Sequence, residues 1–576
     1  MAGRSGDKMF FCRLICLKMP LNHREEMYHI LRMTGPLLLS RVLIYLLPFV
    51  VTMFCGRLGN DVMAGFGLAS ATINVTTAAT GYGLSLACDT LVSQTFGGKN
   101  LLRVGMILQR GVVILLLFCL PCWGLLLNAQ SLLLLMGQDP EVTRIAQVYI
   151  IAFLPAVPAM FLHNLQVSYL QNQGIILPQM YTAAMANVVN LLMNYVFLHW
   201  LDLGVTGSAV VNAFSQICIC ASLFIYIHWK KLHVSTWGGW SVESLQEWGS
   251  YMRLAVPSML MKCFEWWIYE FGGFFAGMLS DDELAAQHAV MMVTLLAYMF
   301  PFGIQAAACA RVGNALGAGD TGRAIIACKV SLTLAGAFAV VEGIVLGATK
   351  SKIGYIFTSD QKIVNLVSLL MNAYCFLQFF DGLVVSLELV HLLIRVNKNN
   401  QYLSFSPSYK CVCTGIFLGA GKQKIPAVAN FVGYYGIGLT LSVTLMFVAK
   451  LRILGFWLGI LICVILQSTL FIIVIFRLDW ERMTEEAVKR AQKNTHVAEQ
   501  EQYQPVMWEA NAVPQQQVNA DQLPVSQLLL RRGLTLLAAI ALLAIGTCVY
   551  LLVPLPEAPP SKSNLTAIEW GNSTHY

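Results

Sequence analysis

Charged side chains are scarce in this chain of 576 residues, of which only 12% are Asp, Glu, Lys or Arg and 57% are apolar. A soluble domain carries roughly 25% charged residues. The deficit excludes an ordinary soluble protein and indicates a chain that crosses a lipid bilayer many times. The net charge of +7 comes from basic residues scattered between apolar segments. They form no basic face, so no nucleic-acid partner is expected.

Groupings of catalytic and metal-binding residues are also lacking. The sequence shows no nucleophile–base pair, no phosphate-binding loop and no metal-ligand cluster, so neither an enzyme nor a bound cofactor is predicted. Its one Cys-x-x-Cys pair, Cys119 and Cys122, lies inside an apolar run, where small apolar packing is favoured over redox or metal chemistry. No apolar run begins before about residue 35, so no cleavable signal peptide is predicted.

Long apolar runs dominate what is present. A bilayer core needs about 20 apolar residues per helix. Runs of this length predict an all-α membrane protein with thirteen transmembrane helices. The predicted spans are 35–55, 63–86, 105–128, 143–166, 178–200, 206–228, 254–278, 284–307, 324–347, 363–384, 426–449, 455–476 and 533–554.

Basic residues between the spans indicate the orientation. They collect in the N-terminal tail, around Lys99, at Lys230 and after Arg477, which places the N-terminus in the cytosol and the C-terminus outside. A short helix is predicted in the polar tail near Glu481–Lys493. The predicted regions are a cytosolic segment 1–31, a first six-helix lobe 32–228, a cytosolic linker 229–252, a second lobe 253–476, a cytosolic tail 477–532, a last helix 533–554 and an extracellular C-terminus 555–576.

The two lobes are predicted to be copies of one bundle. Arg32–Pro36 matches Arg253–Pro257, and at a nearly constant offset Phe96-Gly97 matches Leu316-Gly317. Six-helix repeats of this kind are typical of transporters that bind their substrate between the halves.

One segment, Val385–Lys410, breaks this correspondence. It follows Asp381 inside the tenth predicted span, matches nothing in the first lobe and is polar toward its end. Helix interiors tolerate insertions poorly, whereas loops tolerate them well. We therefore interpret the segment as a retained intron or a gene-model error, with a family-specific loop as the alternative.

Two carboxylates, Glu265 and Glu270, lie in the middle of the seventh predicted span. An acid at this depth costs several kcal/mol unless it faces a partner or a wet cavity, so it indicates function. Five residues correspond to about 140° around a helix, so the two side chains diverge. We assign Glu265 to a central cleft and Glu270 to a second, deeper or more structural position. Aromatic Trp266 and Tyr269 beside them are suited to hold a flat organic cation, with packing in the core or against lipid as the alternative.

Other side chains are given local roles. Asp89, near the end of the second span, is interpreted as a cap or gate at the cytosolic face. Asp139 and Asp360 recur in both lobes at helix starts and are predicted N-caps. Pro155 and Pro158 are predicted to bend the fourth span.

Several local motifs resemble those of the multidrug and toxic compound extrusion (MATE) family, in particular its animal organic cation/proton antiporters. The resemblance covers about residues 27–554, including the thirteenth helix. The motifs that carry it are Cys55–Gly59, Cys88–Gln94, Tyr169–Gly174, Glu265–Glu270, Arg311–Gly319 and Gly419–Lys424.

The resemblance implies two lobes in a V around a central cleft, in a plasma-membrane protein that rocks to export organic cations in exchange for protons. It needs no second copy, so a monomer is expected. On the motif positions it implies a proton and substrate site in the second lobe. The implied residues are Glu265, Glu270, Asp381, Trp266, Tyr269 and Tyr298, with Asn74 and Gln94 lining the cleft from the first lobe.

Two departures from the family pattern keep alternatives open. Met292 stands where the family carries a carboxylate on the eighth helix, and Arg41 occupies a position that is usually uncharged. Arg41 and its repeat mate Lys262 are expected to extend toward the cytosolic interface, because long basic side chains reach for water. The alternative is that they face the site, where they would repel a cationic substrate and favour the charged form of the carboxylate. A sodium-coupled exporter of the same fold and a transport-dead scaffold are the alternative functions.

Overall fold

The computed structural model describes residues 21–58, 60–357, 360–375, 407–492 and 524–556, and within these ranges the regular structure is entirely helical. The helices are α1 Leu21–Leu58, α2 Asn60–Ile73, α3 Ala79–Gly97, α4 Leu101–Leu127, α5 Ala129–Leu135, α6 Pro140–Phe153, α7 Ala156–Gln171, α8 Leu177–Tyr195, α9 Gly204–Trp229, α10 Trp248–Leu279, α11 Asp281–Gly317, α12 Thr321–Ile353, α13 361–375, α14 Pro407–Ala420, α15 Lys424–Asn430, α16 Thr440–Val443, α17 Arg452–Arg477, α18 Trp480–Ala491 and α19 Val525–Leu552. Wider π-helical turns at Asn74–Ala78, Val196–Trp200, Phe431–Leu439 and Thr444–Val448 and 3-10 turns at Val242–Leu245 and Gly354–Ile356 complete the set.

Ten helical stretches in the described ranges are long and apolar enough to cross a membrane. The pair α6 and α7 adds an eleventh if it forms one span, broken by a bend of 59°. The bend falls at Leu154 and Pro155, which confirms the predicted kink in the fourth span. The predicted total of thirteen spans stays a prediction, because α10, which covers the seventh predicted span, is not among these stretches and the tenth predicted span falls only partly on described residues.

Polar residues begin several helices as expected. The carboxylate of Asp139 accepts hydrogen bonds from the backbone N–H groups of Glu141 and Val142, and Asp360 accepts one from Lys362. Both side chains satisfy donors that the first helical turn leaves free. The predicted N-caps are therefore confirmed.

Separate apolar cores form in the two halves of the chain. One core draws all its members from residues 51–255, and another draws its members from residues 268–464. A third core joins α1 of the first half to α11, α12, α14 and α17 of the second half. The first core also takes in the start of α10, and α3 packs on α10 and α11, so the two halves meet along α3 as well as along α1.

The closest crossing between the halves joins matched positions of the repeat. A side chain at Gly97 would strike the carbonyl of Asn314, and one at Gly317 would strike the carbonyl of Gln94. Gln94 and Asn314 are themselves repeat mates. The glycines let α3 and α11 meet backbone to backbone at the face predicted to be cytosolic.

A helix of the predicted tail lies across this crossing. The tail helix is observed at Trp480–Ala491 as α18, which confirms the short helix predicted there. It contacts α3 of the first half and α11 and α12 of the second half. The last helix, α19, packs on α4 in the first half.

Candidate functional site

The carboxylate of Glu265 lies in the middle of α10, and only 8% of the residue is exposed. The Nζ of Lys262 donates a hydrogen bond to its Oε2 at 2.7 Å, and the hydroxyl of Tyr298 donates to its Oε1 at 3.4 Å. The Nζ of Lys410 lies 3.6 Å from the same Oε1. Buried charges are stable only when they are paired and hydrogen-bonded, as this one is.

Lys262 is buried in the protein, with 1% of the residue exposed. The two residues are three positions apart, which puts their side chains on one face of the helix. The prediction that Lys262 extends to the cytosolic interface is wrong. Its ammonium finds its counter-charge on Glu265 inside the bundle, so it has no need of the aqueous boundary.

Arg41 also points into the protein instead of extending along α1. Its guanidinium carbon is 5.0 Å from the ring centroid of Phe302 and 6.0 Å from that of Tyr82. The Nζ of Lys262 is 5.9 Å from the first centroid and 6.0 Å from the second. Tyr82 belongs to the first half and Phe302 to the second. Two cations therefore share one aromatic pair between the halves, contrary to the prediction for Arg41.

Lys410 is the last residue of the segment that has no counterpart in the first half. It lies in α14 and is 3% exposed. Besides contacting Glu265, its ammonium donates to the hydroxyl of Tyr434 and sits 3.9 Å from the centroid of that ring. The unmatched segment thus places a second ammonium group directly at the candidate site.

Three of the predicted aromatic residues have different surroundings. The ring of Trp266 is stacked on Tyr82 with centroids 5.9 Å apart and planes 9° apart, which connects the seventh predicted span to the first half. Tyr298 contacts Glu265 and lies beside Phe302. Tyr269 packs against the apolar core of the second half. Tyr298 therefore contacts the carboxylate directly, and Tyr269 reaches the same site through a hydrogen bond with Tyr434, whereas Trp266 contacts the first half.

Other predicted site residues are not brought to this carboxylate. The side chain of Glu270 is exposed on the surface of the bundle, in agreement with its divergence from Glu265. Asn74 begins a π-helical turn and is also exposed. Asp381 lies outside the described residues.

Gln94 has a structural setting that differs from an open cleft. It is fully buried at the α3–α11 crossing, where its Nε2 donates to the carbonyl of Gly419 at 2.8 Å. Its Oε1 accepts a hydrogen bond from Arg490 of α18, also at 2.8 Å. Both ends of the amide are used, so Gln94 joins the halves instead of facing a substrate here.

Asp89 is buried within α3 and does not cap its end. Only 4% of the residue is exposed, and its Oδ1 accepts hydrogen bonds from the amides of Gln171 at 2.8 Å and Asn172 at 2.5 Å. With Gln171, Tyr82 and Phe302 it lines a small cavity between the halves. The interpretation as a helix cap is wrong, because the helix continues to Gly97.

The position of the missing carboxylate is apolar. Met292 accepts a hydrogen bond from the hydroxyl of Tyr45 at its sulfur, 3.3 Å away. Among the contributors to the site, sequence reasoning did not single out Tyr82, Phe302 or Lys410. An aromatic residue in an apolar run gives no signal of its own, whereas a lysine at the edge of an unmatched segment can be noticed from its charge.

Comparisons with known proteins agree with this architecture. A sequence model of the MatE family matches residues 36–196 and 257–390. The chain is 48% identical over 473 residues to multidrug and toxin extrusion protein 1 of Danio rerio, covering 82% of this chain and 76% of that protein. It is 42% identical over 565 residues to the protein of that name in Mus musculus, covering 93% of this chain and 95% of that protein.

The chain belongs to the MATE family. It is a multi-pass membrane transporter and, like the family, not an enzyme. Its fold matches the solved eukaryotic MATE transporter AtDTX14 with a TM-score of 0.74 at 24% identity, covering 82% of this chain and all of that one. The bent form of the Vibrio cholerae MATE transporter VcmN matches with a TM-score of 0.65 at 16% identity, covering 82% and 100%. The family resemblance found in the sequence is thereby confirmed.

Proposed function

We propose that this MATE transporter exports organic cations and cationic drugs in exchange for protons, acting as a monomer in the plasma membrane. The proposal places the N-terminus in the cytosol, as the distribution of basic residues predicts. The observation that carries it is the buried carboxylate of Glu265, which ammonium and hydroxyl donors of the second half hold beside the contact with Tyr82 of the first half.

A buried carboxylate can couple two flows because it is neutralised by one partner at a time. A proton removes its charge, and a substrate cation balances it, so the arrival of either favours release of the other. Lys262 completes the cycle in this proposal. Its ammonium holds Glu265 when neither partner is bound and must move aside for a substrate cation.

The alternation of access follows from the contacts between the halves. The glycine-lined crossing of α3 and α11 closes one face in this structure. In the proposed cycle one half rocks against the other and this crossing opens. The cation site then faces the opposite side.

The test is efflux of a fluorescent organic cation from cells, with and without an inward proton gradient. Glu265→Gln is expected to abolish gradient-driven efflux while surface expression persists, because an amide carries no exchangeable charge. Asp282→Asn removes an exposed acid in the first turn of α11 and is expected to leave efflux unchanged. Efflux that persists in Glu265→Gln contradicts the proposal.

Two other results of the same experiment would each support an alternative function. Efflux driven by a sodium gradient and indifferent to pH supports a sodium-coupled exporter, since a carboxylate suits either ion. A surface-expressed chain that moves no organic cation under either gradient supports a scaffold. The second outcome gains weight from Met292 and from the ammonium of Lys410 beside Glu265.

A further inference from the structure

The last helix, α19, runs in the same direction as α4. Its Arg532 donates a hydrogen bond to the carbonyl of Leu245 at 2.9 Å, in the linker that Arg103 near the start of α4 also contacts. Asn128, at the other end of α4, donates to the carbonyl of Gly546 late in α19. The two helices therefore begin at one face of the bundle and end at the other.

The face at which both helices begin is the face that α18 crosses. Asn100, which caps α4, donates a hydrogen bond to the carbonyl of Ala491 at the end of α18, 3.1 Å away. The proposed orientation makes this face cytosolic, and the basic pair Arg531 and Arg532 at the start of α19 agrees with it. Because α19 is long and apolar enough to cross a bilayer, the chain beyond its last residue, Leu552, emerges at the extracellular face.

The sequence has three Asn-x-Ser/Thr motifs, the acceptor pattern for N-linked glycans, and two of them follow α19. They are Asn564-Leu-Thr566 and Asn572-Ser-Thr574, both beyond the described residues. About a dozen residues separate Asn564 from the end of α19, and an extended chain of that length reaches about 40 Å. The headgroup layer of one leaflet is only about 5–8 Å deep, so the chain is long enough to bring both asparagines into water.

The third motif, Asn74-Val-Thr76, lies in a different setting. Asn74 is inside the membrane-spanning stretch Val62–Gly97, and the hydroxyl of Thr76 donates to the carbonyl of Thr72 at 2.7 Å. Glycans are attached to asparagines on surface segments in water, which a helical motif inside the bilayer does not offer. Modification is therefore expected only beyond α19.

We propose that Asn564 and Asn572 carry N-linked oligosaccharides, attached in the lumen of the secretory pathway. The side-chain amide nitrogen of each asparagine loses a proton and bonds to the anomeric carbon of an oligosaccharide that a lipid diphosphate carries. The bond from that carbon to the diphosphate breaks, and the lipid diphosphate leaves with the electron pair. The inference rests on the proposed function through its orientation alone, since a cytosolic C-terminus never meets the transfer enzyme.

The test is expression of the full chain in animal cells with a peptide epitope after Tyr576, followed by treatment with a peptide N-glycosidase. The enzyme is expected to lower the apparent mass of the unaltered chain on a denaturing gel. An apparent mass that the enzyme leaves unchanged overturns the proposal.

Variants locate the glycans. Asn564→Gln and Asn572→Gln should each reduce the mass difference, and the double variant should show none. Thr566→Ser keeps an acceptor motif and Asn74→Gln removes the motif inside the membrane, so both should keep the full difference. A difference that persists in the double variant overturns the proposal, and a single variant without effect overturns the assignment of its asparagine.

Antibody binding to the epitope on intact cells separates failure of the glycosylation from failure of the orientation. An accessible epitope on a chain without glycan keeps the orientation and overturns the glycosylation. An epitope that antibodies reach only after permeabilisation overturns both. Proton-driven efflux is measured on the same cells, and its absence from a glycosylated chain with an accessible epitope contradicts the exchange proposal and leaves this inference standing.

Discussion

The ion pair between Lys262 and Glu265 is the most deeply buried pair of opposite charges at the inter-half contact. The side chains are 1% and 10% exposed, and the two atoms that join them are 2.7 Å apart. Taking two charges out of water is costly, and their attraction offsets that cost only when both are present. Each residue therefore depends on the other for its place in the fold.

This dependence predicts the outcome of a double-mutant cycle. Lys262→Met is expected to reduce the free energy of unfolding by about 3 kcal/mol, because it leaves the buried carboxylate with the more distant Lys410. Adding Glu265→Gln to Lys262→Met is expected to recover most of that loss. Thermal unfolding of the purified variants in detergent measures both. If the loss of unfolding free energy in the double variant equals the sum of the losses in the two single variants, the two residues do not interact.

The sequence indicated Glu265 but not its partner, and the reason is physical. An acid in a spanning segment is conspicuous because it is costly in lipid. A lysine in the same segment can avoid burial, because its long side chain can extend to the aqueous boundary. Only the packing of Tyr82 and Phe302 around Lys262 decides between the two, and those residues come from distant parts of the chain.

At the scale of elements, helix α18 joins the two halves across their closed face. Its Arg490 donates to Gln94 of the first half, and its Glu486 accepts from Lys422 of the second half at 2.9 Å. The hydrogen bond from Lys422 keeps the pKa of Glu486 below its ordinary value. The contribution of Glu486 is thus present at neutral pH and is lost as the pH falls through that lowered pKa, when its charge is removed.

Breaking this contact is expected to open the closed face more often. Arg490→Gln removes the donor to Gln94, so amides at the end of α3 and at the start of α15 are expected to exchange hydrogen faster. Hydrogen exchange with mass spectrometry on the purified chain measures this. Lys489→Gln, which alters the exposed neighbour, serves as the control. Equal exchange in the two variants would contradict a closing role for α18.

The last helix, α19, depends on a close approach to α4. A side chain at Gly546 would meet the Cα of Gly124 at 2.7 Å, and Asn128 donates a hydrogen bond to the Gly546 carbonyl at 2.8 Å. At the other end of the helix, the guanidinium of Arg532 lies 4.1 Å from the ring centroid of Trp248. Small residues at such crossings let helix backbones pack directly in a membrane.

A bulky residue at the crossing is therefore expected to displace α19. Gly546→Leu should reduce the free energy of unfolding by about 1–3 kcal/mol, as overpacking commonly does. Gly533→Leu makes the same change at a position with no neighbour within 4 Å and should have little effect. Thermal unfolding of the two variants is the comparison. Equal melting temperatures would show that α19 is held by other contacts.

For the whole molecule, the periodic features of the chain were the predictable ones. Apolar runs located most helices, and the prolines near residue 155 located the bend between α6 and α7. The burial of Gln94 at the crossing was not predictable, because it depends on Gly419 and Arg490, which are hundreds of residues away. Contacts between the halves depend on packing in three dimensions. A single sequence with a weak internal repeat contains no pattern that predicts them.

The unmatched segment Val385–Lys410 has ends that suit an unspliced intron. Codons for Val385 and Ser386 can read GTNAGY, as at the start of an intron, and a lysine codon can end in AG, as at its close. The residues just before Lys410, Ser404–Ser408, can all be encoded by pyrimidine-rich codons. We therefore expect the main transcript across Gly382–Thr414 to lack the segment. A dominant message that encodes it would contradict this interpretation.

Removing the segment is expected to increase the rate of transport because it also removes Lys410. That ammonium lies 3.6 Å from Glu265 and occupies the carboxylate that a proton or substrate must reach. Three forms are compared in the efflux assay: the full chain, the full chain with Lys410→Val, and the chain without Val385–Lys410. The shortened chain should export the cation at least about tenfold faster than the full chain, and only with an inward proton gradient.

Lys410→Val removes the ammonium but keeps the rest of the segment, so it separates the effect of the charge from that of the extra residues. If the ammonium alone blocks the site, this variant exports as well as the shortened chain. If the segment also disturbs the tenth predicted span, the variant recovers only part of that rate. Surface labelling shows that all three forms reach the membrane. Equal export by the full and shortened chains would show that Lys410 leaves Glu265 accessible, and the segment would then be a tolerated loop.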